Sequence, residues 1–195
     1  MPRKIDQNAR REEIAEAVWS VIVEEGVAAV SVRSVAARAE IAVGSLRHVF
    51  PTRDELVEFS AELMILRTTE RLRSLPASDD PVRYALDVCT ALLPLDADSR
   101  AEVMVNLALI AEAPAIPRLA EIRDDAHRQL RELCRTLVGF LRGTGPEAVD
   151  DIAADRLHAL VDGLALHLLT TEQDADSRWA VDVLRRELEA TAAGR

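Results

Sequence analysis

Residues 43–48 read Val-Gly-Ser-Leu-Arg-His, and they gather side chains suited to gripping an anion or a hydrogen-bonding edge. Arg47 carries a planar fork of donors that fits a phosphate, or the edge of guanine in a bidentate manner. The Ser45 hydroxyl can donate to or accept from a base or a phosphate. Gly44 has no side chain, so the backbone there can approach such a group closely. Leu46, Val49 and Phe50 have the spacing of an anchoring stripe. That leaves Val43, Gly44, Ser45, Arg47 and His48 for the opposite side. The chemistry these residues offer is recognition, and none of them is arranged as a nucleophile with its base.

Catalytic patterns are absent elsewhere. The chain has no glycine-rich phosphate loop, no nucleophile motif and no run of zinc ligands at local spacing. His158 and Asp162 are one helical turn apart and His127 and Cys134 two, but each pair lacks third and fourth ligands nearby. The expectation is therefore a protein that is not an enzyme, with no catalytic residue, no metal and no cofactor. Cys89 and Cys134 lie within apolar helical patterns and read as buried free thiols.

The chain of 195 residues is long enough to bury a substantial core in one or two domains. Although 49% of it is apolar, no apolar run approaches the length of a membrane span, and the beginning, MPRKIDQNARREE, lacks the apolar centre of a signal peptide. A cytoplasmic protein without membrane association is expected. The net charge of −10 argues against nucleic acid at first sight. The charge is uneven, however, at about +1 over residues 1–53 and about −11 over the remainder. Screening confines a field to ~8–10 Å at ordinary salt, so a local patch is enough to meet an anionic partner.

The elements that must position residues 43–48 are helical throughout. Ala, Leu, Glu and Arg dominate, and no alternating pattern bounded by hairpin turns is present. A first helix is predicted over residues 8–25, with Ile14, Ala17, Val18, Val21 and Ile22 as its stripe and Gly26 as its stop. Arg3, Lys4, Arg10 and Arg11 lie ahead of it or on its first turn, either as a solvated tail or as part of a basic surface. Ser31 is the N-cap of a second helix that buries Val32, Val35, Ala36 and Ala39. A turn at 40–42 leads to the third helix, 43–49, which Pro51 ends. Thr52 and Glu55 have capping-box spacing, so a fourth helix begins near Arg53 and buries Leu56, Phe59, Leu63, Leu66 and Leu72. Linkers and prolines then divide the rest into helices over 82–93, 99–112, 115–141, 146–170 and 177–192. The long helix over 115–141 carries the stripe Leu119, Ile122, Ala126, Leu130, Leu133, Leu137 and Phe140. The helix over 146–170 contains LHALVDGLALHLL, apolar on more than one face, so it is either a central core helix or a helix covered by a partner subunit.

Residues 31–50 have the spacing of a helix-turn-helix, whose second helix lies in the major groove. The fuller stretch SVRSVAARAEIAVGSLRHVFPTRDEL resembles the N-terminal DNA-binding domain of the TetR family of bacterial transcription regulators. The resemblance covers about residues 10–57. It implies an all-α chain of about nine helices, with a three-helix DNA-binding domain over 1–53 and a helical ligand-binding and dimerisation domain over 54–195. Ser31, Arg33, Val43, Gly44, Ser45, Arg47, His48, Thr52 and Arg53 are then the residues facing a double-stranded DNA operator. Several positions depart from the family's pattern. Glu40 stands where Gly is usual, Ala42 where a Ser or Thr caps the recognition helix, Arg47 for a Tyr, Val49 for a His and Arg53 for a Lys.

The resemblance further implies a homodimer and an unknown small-molecule effector that releases the operator, which makes the chain a repressor. Candidate effector contacts are Tyr84, Met104, Asn106, Leu107 and His127. Asn106 is the only polar residue in VMVNLALIA, so it is either such a contact or a satisfied buried amide. The others are equally compatible with core positions. Leu157, Leu160, Leu164, His167 and Leu168, with Trp179 and Val183, look like the dimerising helix pair of such regulators. An orphan regulator without a ligand, a helical adaptor or a small helical enzyme are the alternatives, and the adaptor leaves Gly44, Arg47 and His48 without a purpose.

Overall fold

A computed structural model describes residues 7–172 and 176–194. Arg3 and Lys4 of the basic leader lie outside the described residues. Nine α-helices and no strand occur among the described residues: α1 (Gln7–Glu25), α2 (Val32–Arg38), α3 (Val43–Val49), α4 (Arg53–Arg73), α5 (Pro81–Thr90), α6 (Ala97–Glu112), α7 (Pro117–Arg142), α8 (Asp151–Thr170) and α9 (Arg178–Ala192). The protein is all-α, as its composition and spacing imply.

The helix ends follow local chemistry. At the start of α2, Ser31 Oγ accepts from the Ser34 amide at 3.0 Å and Ser34 Oγ accepts from the Ser31 amide at 2.9 Å. This reciprocal pair satisfies amides that no carbonyl of the helix can reach. Asp80 caps α5 by accepting from the Val82 and Arg83 amides at 2.9 and 3.2 Å, with Pro81 in the first turn, where no amide hydrogen is needed. Helix α8 begins at Asp151 rather than at Pro146. Residues Pro146–Ala148 form a separate 3-10 turn, and Asp150 restarts the chain by accepting from the Ala153 amide at 2.8 Å. Gly26 ends α1 with φ 86°, a conformation that a side chain would oppose.

The described residues fall into two compact units. The first comprises the residues up to Arg67 together with Met104–Arg123, and the second Thr68–Val103 together with the residues from Asp124 onward. The first has a core built from Ile14, Val18 and Val21 of α1, Val35 and Ala36 of α2, Leu46 of α3, Leu56 and Val57 of α4, and Val105 and Leu109 of α6. Ionic clamps close its surface. Arg38 of α2 reaches Ser20 and the Glu24 carboxylate of α1, holding one helix across the other. Arg67 donates to Glu16 at 2.8 Å and lies over the Trp19 ring, whose indole N–H donates to the Ser60 carbonyl at 3.2 Å.

The second unit packs α5, α8 and α9 with part of α7 around Leu86, Cys89, Leu137, Leu157, Leu164, Leu168, Leu184 and Leu188. Both cysteines are buried and free, and burial pushes each thiol up to about 12. Arg100 of α6 donates to the carbonyls of Leu168, Leu169 and Thr171 at 2.8, 2.7 and 2.6 Å. It satisfies the C-terminal end of α8, where the helix leaves its own carbonyls unpaired.

The apolar stripes differ from expectation at three positions. Val49, Leu66 and Phe140 are 39%, 49% and 42% exposed, although each falls at core spacing on its helix. Each helix buries a narrower arc than its apolar residues span. In α3 that arc is filled by Leu46 and Phe50 alone; in α7 the ring of Phe140 instead meets Tyr84 edge-on, 5.7 Å between centroids.

Among the described residues, one position that is not glycine has a strained backbone. Glu40, in the turn between α2 and α3, has φ 53°, the left-handed region that disfavours residues with a Cβ by ~1–2 kcal/mol. Replacing Glu40 by Gly should therefore raise stability by about 1 kcal/mol in chemical denaturation, with the helical circular dichroism unchanged.

Candidate nucleic-acid interface

Helix α3 is seven residues long and is fixed from one side only. Leu46 is fully buried and Phe50 nearly so, at 0% and 3% exposure. The Phe50 ring lies 5.2 Å from that of Phe59 on α4. The turn before α3 is tied back to α2 by the Ile41 amide, which donates to the Ala36 carbonyl at 2.9 Å. At its own N-terminus α3 has no side-chain cap, because the cap position is Ala42.

The other side of α3 faces solvent. Val43, Gly44, Ser45, Arg47, His48 and Val49 are all exposed. Val49 thus joins this surface instead of anchoring the helix. A Cβ built on Gly44 meets nothing within 4 Å, so no neighbour in the protein requires glycine there. Arg47 and His48 occupy the last turn, where the helix dipole favours positive charge. Neither side chain has a carboxylate partner among the described residues.

The flanking candidates divide into free and engaged groups. Arg33 on α2 is exposed and has no partner among the described residues. Ser31 and Thr52 use their hydroxyls as helix caps, Thr52 accepting from the Glu55 amide at 3.2 Å. Arg53 is not the free cation its position suggests. Its Nε donates to the Val30 carbonyl at 3.1 Å, and its Nη2 to the Val27 carbonyl at 3.2 Å and the Glu112 carboxylate at 2.9 Å. It clasps the turn before α2 to the start of α4, and the partner that completes the clasp comes from the end of α6. The residue that local spacing leaves in a solvated tail, Arg11, instead lies over two aromatic rings, 4.3 Å from the Phe59 centroid and 5.3 Å from that of Phe50.

The effector and dimer candidates are scattered. Met104, Asn106 and Leu107 are exposed on α6, in the first unit, so Asn106 is not a buried amide. In the second unit Tyr84 is half-buried, while His127 is exposed with its ring 4.6 Å from that of His158. His158 is buried, with Nε2 3.3 Å from the Asp162 carboxylate. Burial lowers its proton affinity below the ordinary histidine value, against the pull of Asp162. On α8, Leu157, Leu164 and Leu168 are 3%, 6% and 2% exposed and belong to the protein's own core, so they cannot meet a partner directly. Leu160 is half-buried and His167 exposed, and the outward apolar residues are Ile152 and Leu166 on α8 and Trp179 and Val183 on α9.

The arrangement as a whole offers a short, externally unpartnered helix with hydrogen-bond donors on a rigid support. Replacing Gly44 by Ala separates its two roles. Helix propensity predicts a gain of about 1 kcal/mol in stability, because the added methyl meets open space. Affinity for a cognate duplex should fall, because the methyl occupies the closest approach; fluorescence anisotropy alongside a denaturation curve reads both effects.

Comparison with known proteins agrees with this geometry. Residues 14–58 match the family of bacterial regulatory proteins described as the tetR family, and residues 81–193 match the C-terminal domain of BetI-type transcriptional repressors. The HTH-type transcriptional regulator PksA of Bacillus subtilis (strain 168) is 35% identical over 173 residues, which is 87% of this chain and 83% of that protein. A transcriptional regulator from Rhodococcus sp. Rha1 has the same fold, with a TM-score of 0.83 and 31% identity over 94% of this chain and 96% of that one. The multidrug binding protein EbrR, solved in complex with malachite green, aligns with a TM-score of 0.65 and 26% identity over 91% of this chain and 97% of that one.

Proposed function

The chain belongs to the TetR family of bacterial regulatory proteins, and from that premise we propose that it is a homodimeric, cytoplasmic repressor that leaves its operator when a small molecule binds. The observation that carries the reading is the one-sided fixation of α3. Leu46 and Phe50 hold the helix, and every other side chain from Val43 to Val49 is presented outward. In a dimer, two copies of α3 would enter successive major grooves about 34–36 Å apart. Arg47 and Ser45 would bond to base edges or phosphates, His48 and Arg33 would add phosphate contacts, and Gly44 would admit close backbone approach. Ser31 and Thr52 would present helix N-termini to the phosphates.

A duplex containing the chain's own upstream DNA tests the reading. Binding should weaken linearly with salt on a double-logarithmic plot. Absence of binding to any duplex at low salt would overturn it. In the Arg47→Ala variant, affinity should fall by roughly 1–3 kcal/mol, with thermal stability and subunit association unchanged.

The dimer would be built by the outward faces of α8 and α9. Ile152 and Leu166 are 79% and 50% exposed, and Trp179 and Val183 are 39% and 41% exposed. A second copy of the same surface would cover these residues. Leu160 and His167 would lie at its margin. The double variant Leu166→Glu, Val183→Glu should sediment as a monomer with its helical content intact, because neither residue belongs to the core.

An effector acts only through its differential affinity for the two forms, and a shift from 1:99 to 99:1 takes ~5.5 kcal/mol. The binding of malachite green to EbrR supports an aromatic, cationic effector class. In the first unit α6 offers Met104, Asn106, Leu107 and Ile110 as exposed contacts, and in the second unit Tyr84 and His127 remain candidates. Displacement would pass through α4, whose first turn carries the Arg53 clasp and whose Phe59 supports Phe50.

A further inference from the structure

Most of the described arginines in the first compact unit are matched to carboxylates. Arg10 pairs with Glu13, Arg38 with Glu24 and Glu25, Arg53 with Glu112, Arg67 with Glu12 and Glu16, and Arg118 with Glu62 and Glu121. In an acidic chain that outcome is expected, because carboxylates outnumber cations. Arg11, Arg33 and Arg47 stand apart, with no carboxylate partner among the described residues. Arg33 and Arg47 flank and occupy the helix-turn-helix. Arg11 is on α1, remote from that motif in sequence, yet its guanidinium lies 4.3 Å from the Phe59 centroid and 5.3 Å from that of Phe50.

We propose that Arg11 is a DNA-backbone contact held in place by the Phe50–Phe59 pair, and that it sets the seating of α3 by gripping a phosphate beside the groove. Phe50 is the residue that ends α3, so a group stacked on its ring keeps a fixed distance from the C-terminal turn of the recognition helix. A guanidinium held over a ring interacts through its charge, and that contact consumes none of its N–H donors. The five N–H donors of Arg11 have no acceptor among the described residues, and the residue is exposed. A planar cation immobilised on a ring and open at its edge is preorganised for a phosphate, since little rotamer freedom remains to be lost on binding. Phosphate contacts fix register without reading sequence, so Arg11 is a positioning residue and not a determinant of operator choice.

The inference rests on the DNA-binding reading of α3, and its test separates the two. The probe is a duplex selected by the wild-type protein from a randomised pool, with affinity measured across a series of salt concentrations. Failure of the wild-type protein to select or bind any duplex would overturn the DNA-binding reading itself. Given wild-type binding, Arg11→Gln should lower the salt slope by about 0.9 per bound subunit and weaken all duplexes by the same factor. Arg11→Lys should retain the slope, because the charge remains, and bind with intermediate affinity, because an ammonium stacks less well. If Arg11→Gln weakens binding with the wild-type slope, or lowers the melting temperature and loses helical content, Arg11 is only a prop for the aromatic pair and the inference falls.

Discussion

The burial of Leu46 and Phe50 is the interaction on which the rest of the first unit's surface depends. A helix of seven residues does not persist alone in water, because nucleation is costly and few hydrogen bonds follow it. Local chemistry opposes α3 further. Its cap position is an alanine, its second residue is a glycine, and the turn that feeds it holds Glu40 in a left-handed conformation. Each of these features works against the helix by about 1 kcal/mol. The helix is therefore a product of tertiary packing. Two side chains hold it, and because only two do, the remaining residues are released to face outward.

Charge is organised around the same helix. The described arginines of the first unit that brace α1, α2, α4 and α6 are neutralised by glutamates, while Arg47 and Arg33 are not. A net charge of −10 would repel a polyanion if it were spread evenly. Pairing weakens the field of the bracing cations, so Arg33 and Arg47, set against the exposed Glu40 of the intervening turn, dominate the local potential near α3. Acidity of the whole chain and affinity for a polyanion are compatible for this reason.

The helices were legible from sequence because their signals are local. Ser31, Gly26, Thr52 and Pro51 each act on the residues beside them, and each sits at a helix end in the structure. Side-chain fates were less legible where two choices have the same period. Val49 and Leu46 share apolar spacing on α3, and nothing in a single helix says which arc is covered. On α8, Leu157, Leu164 and Leu168 could face either a partner or the protein's own core, and α5 and α9 decide for the core. For Asn106 the apolar neighbours left a buried amide and a ligand contact both open, and those neighbours include Met104 and Leu107, which are themselves exposed with it. Arg53 has its acceptor 59 residues away at Glu112, and Arg11 meets rings at positions 50 and 59, separations at which sequence pattern carries no signal.

Arg53 shows how support and recognition are joined. Its guanidinium holds the Val27 and Val30 carbonyls, in the turn that leads to the Ser31 cap, and so fixes where α2 starts. The same residue begins α4, whose later turn supplies Phe59 to steady Phe50 at the end of α3. Helices α2 and α3 are thus referenced to one element, α4, at two points. A shift of α4 along its axis would move both references together and carry the two helices as a body. A tilt would move Phe59 and Arg53 by different amounts and change the angle between α2 and α3.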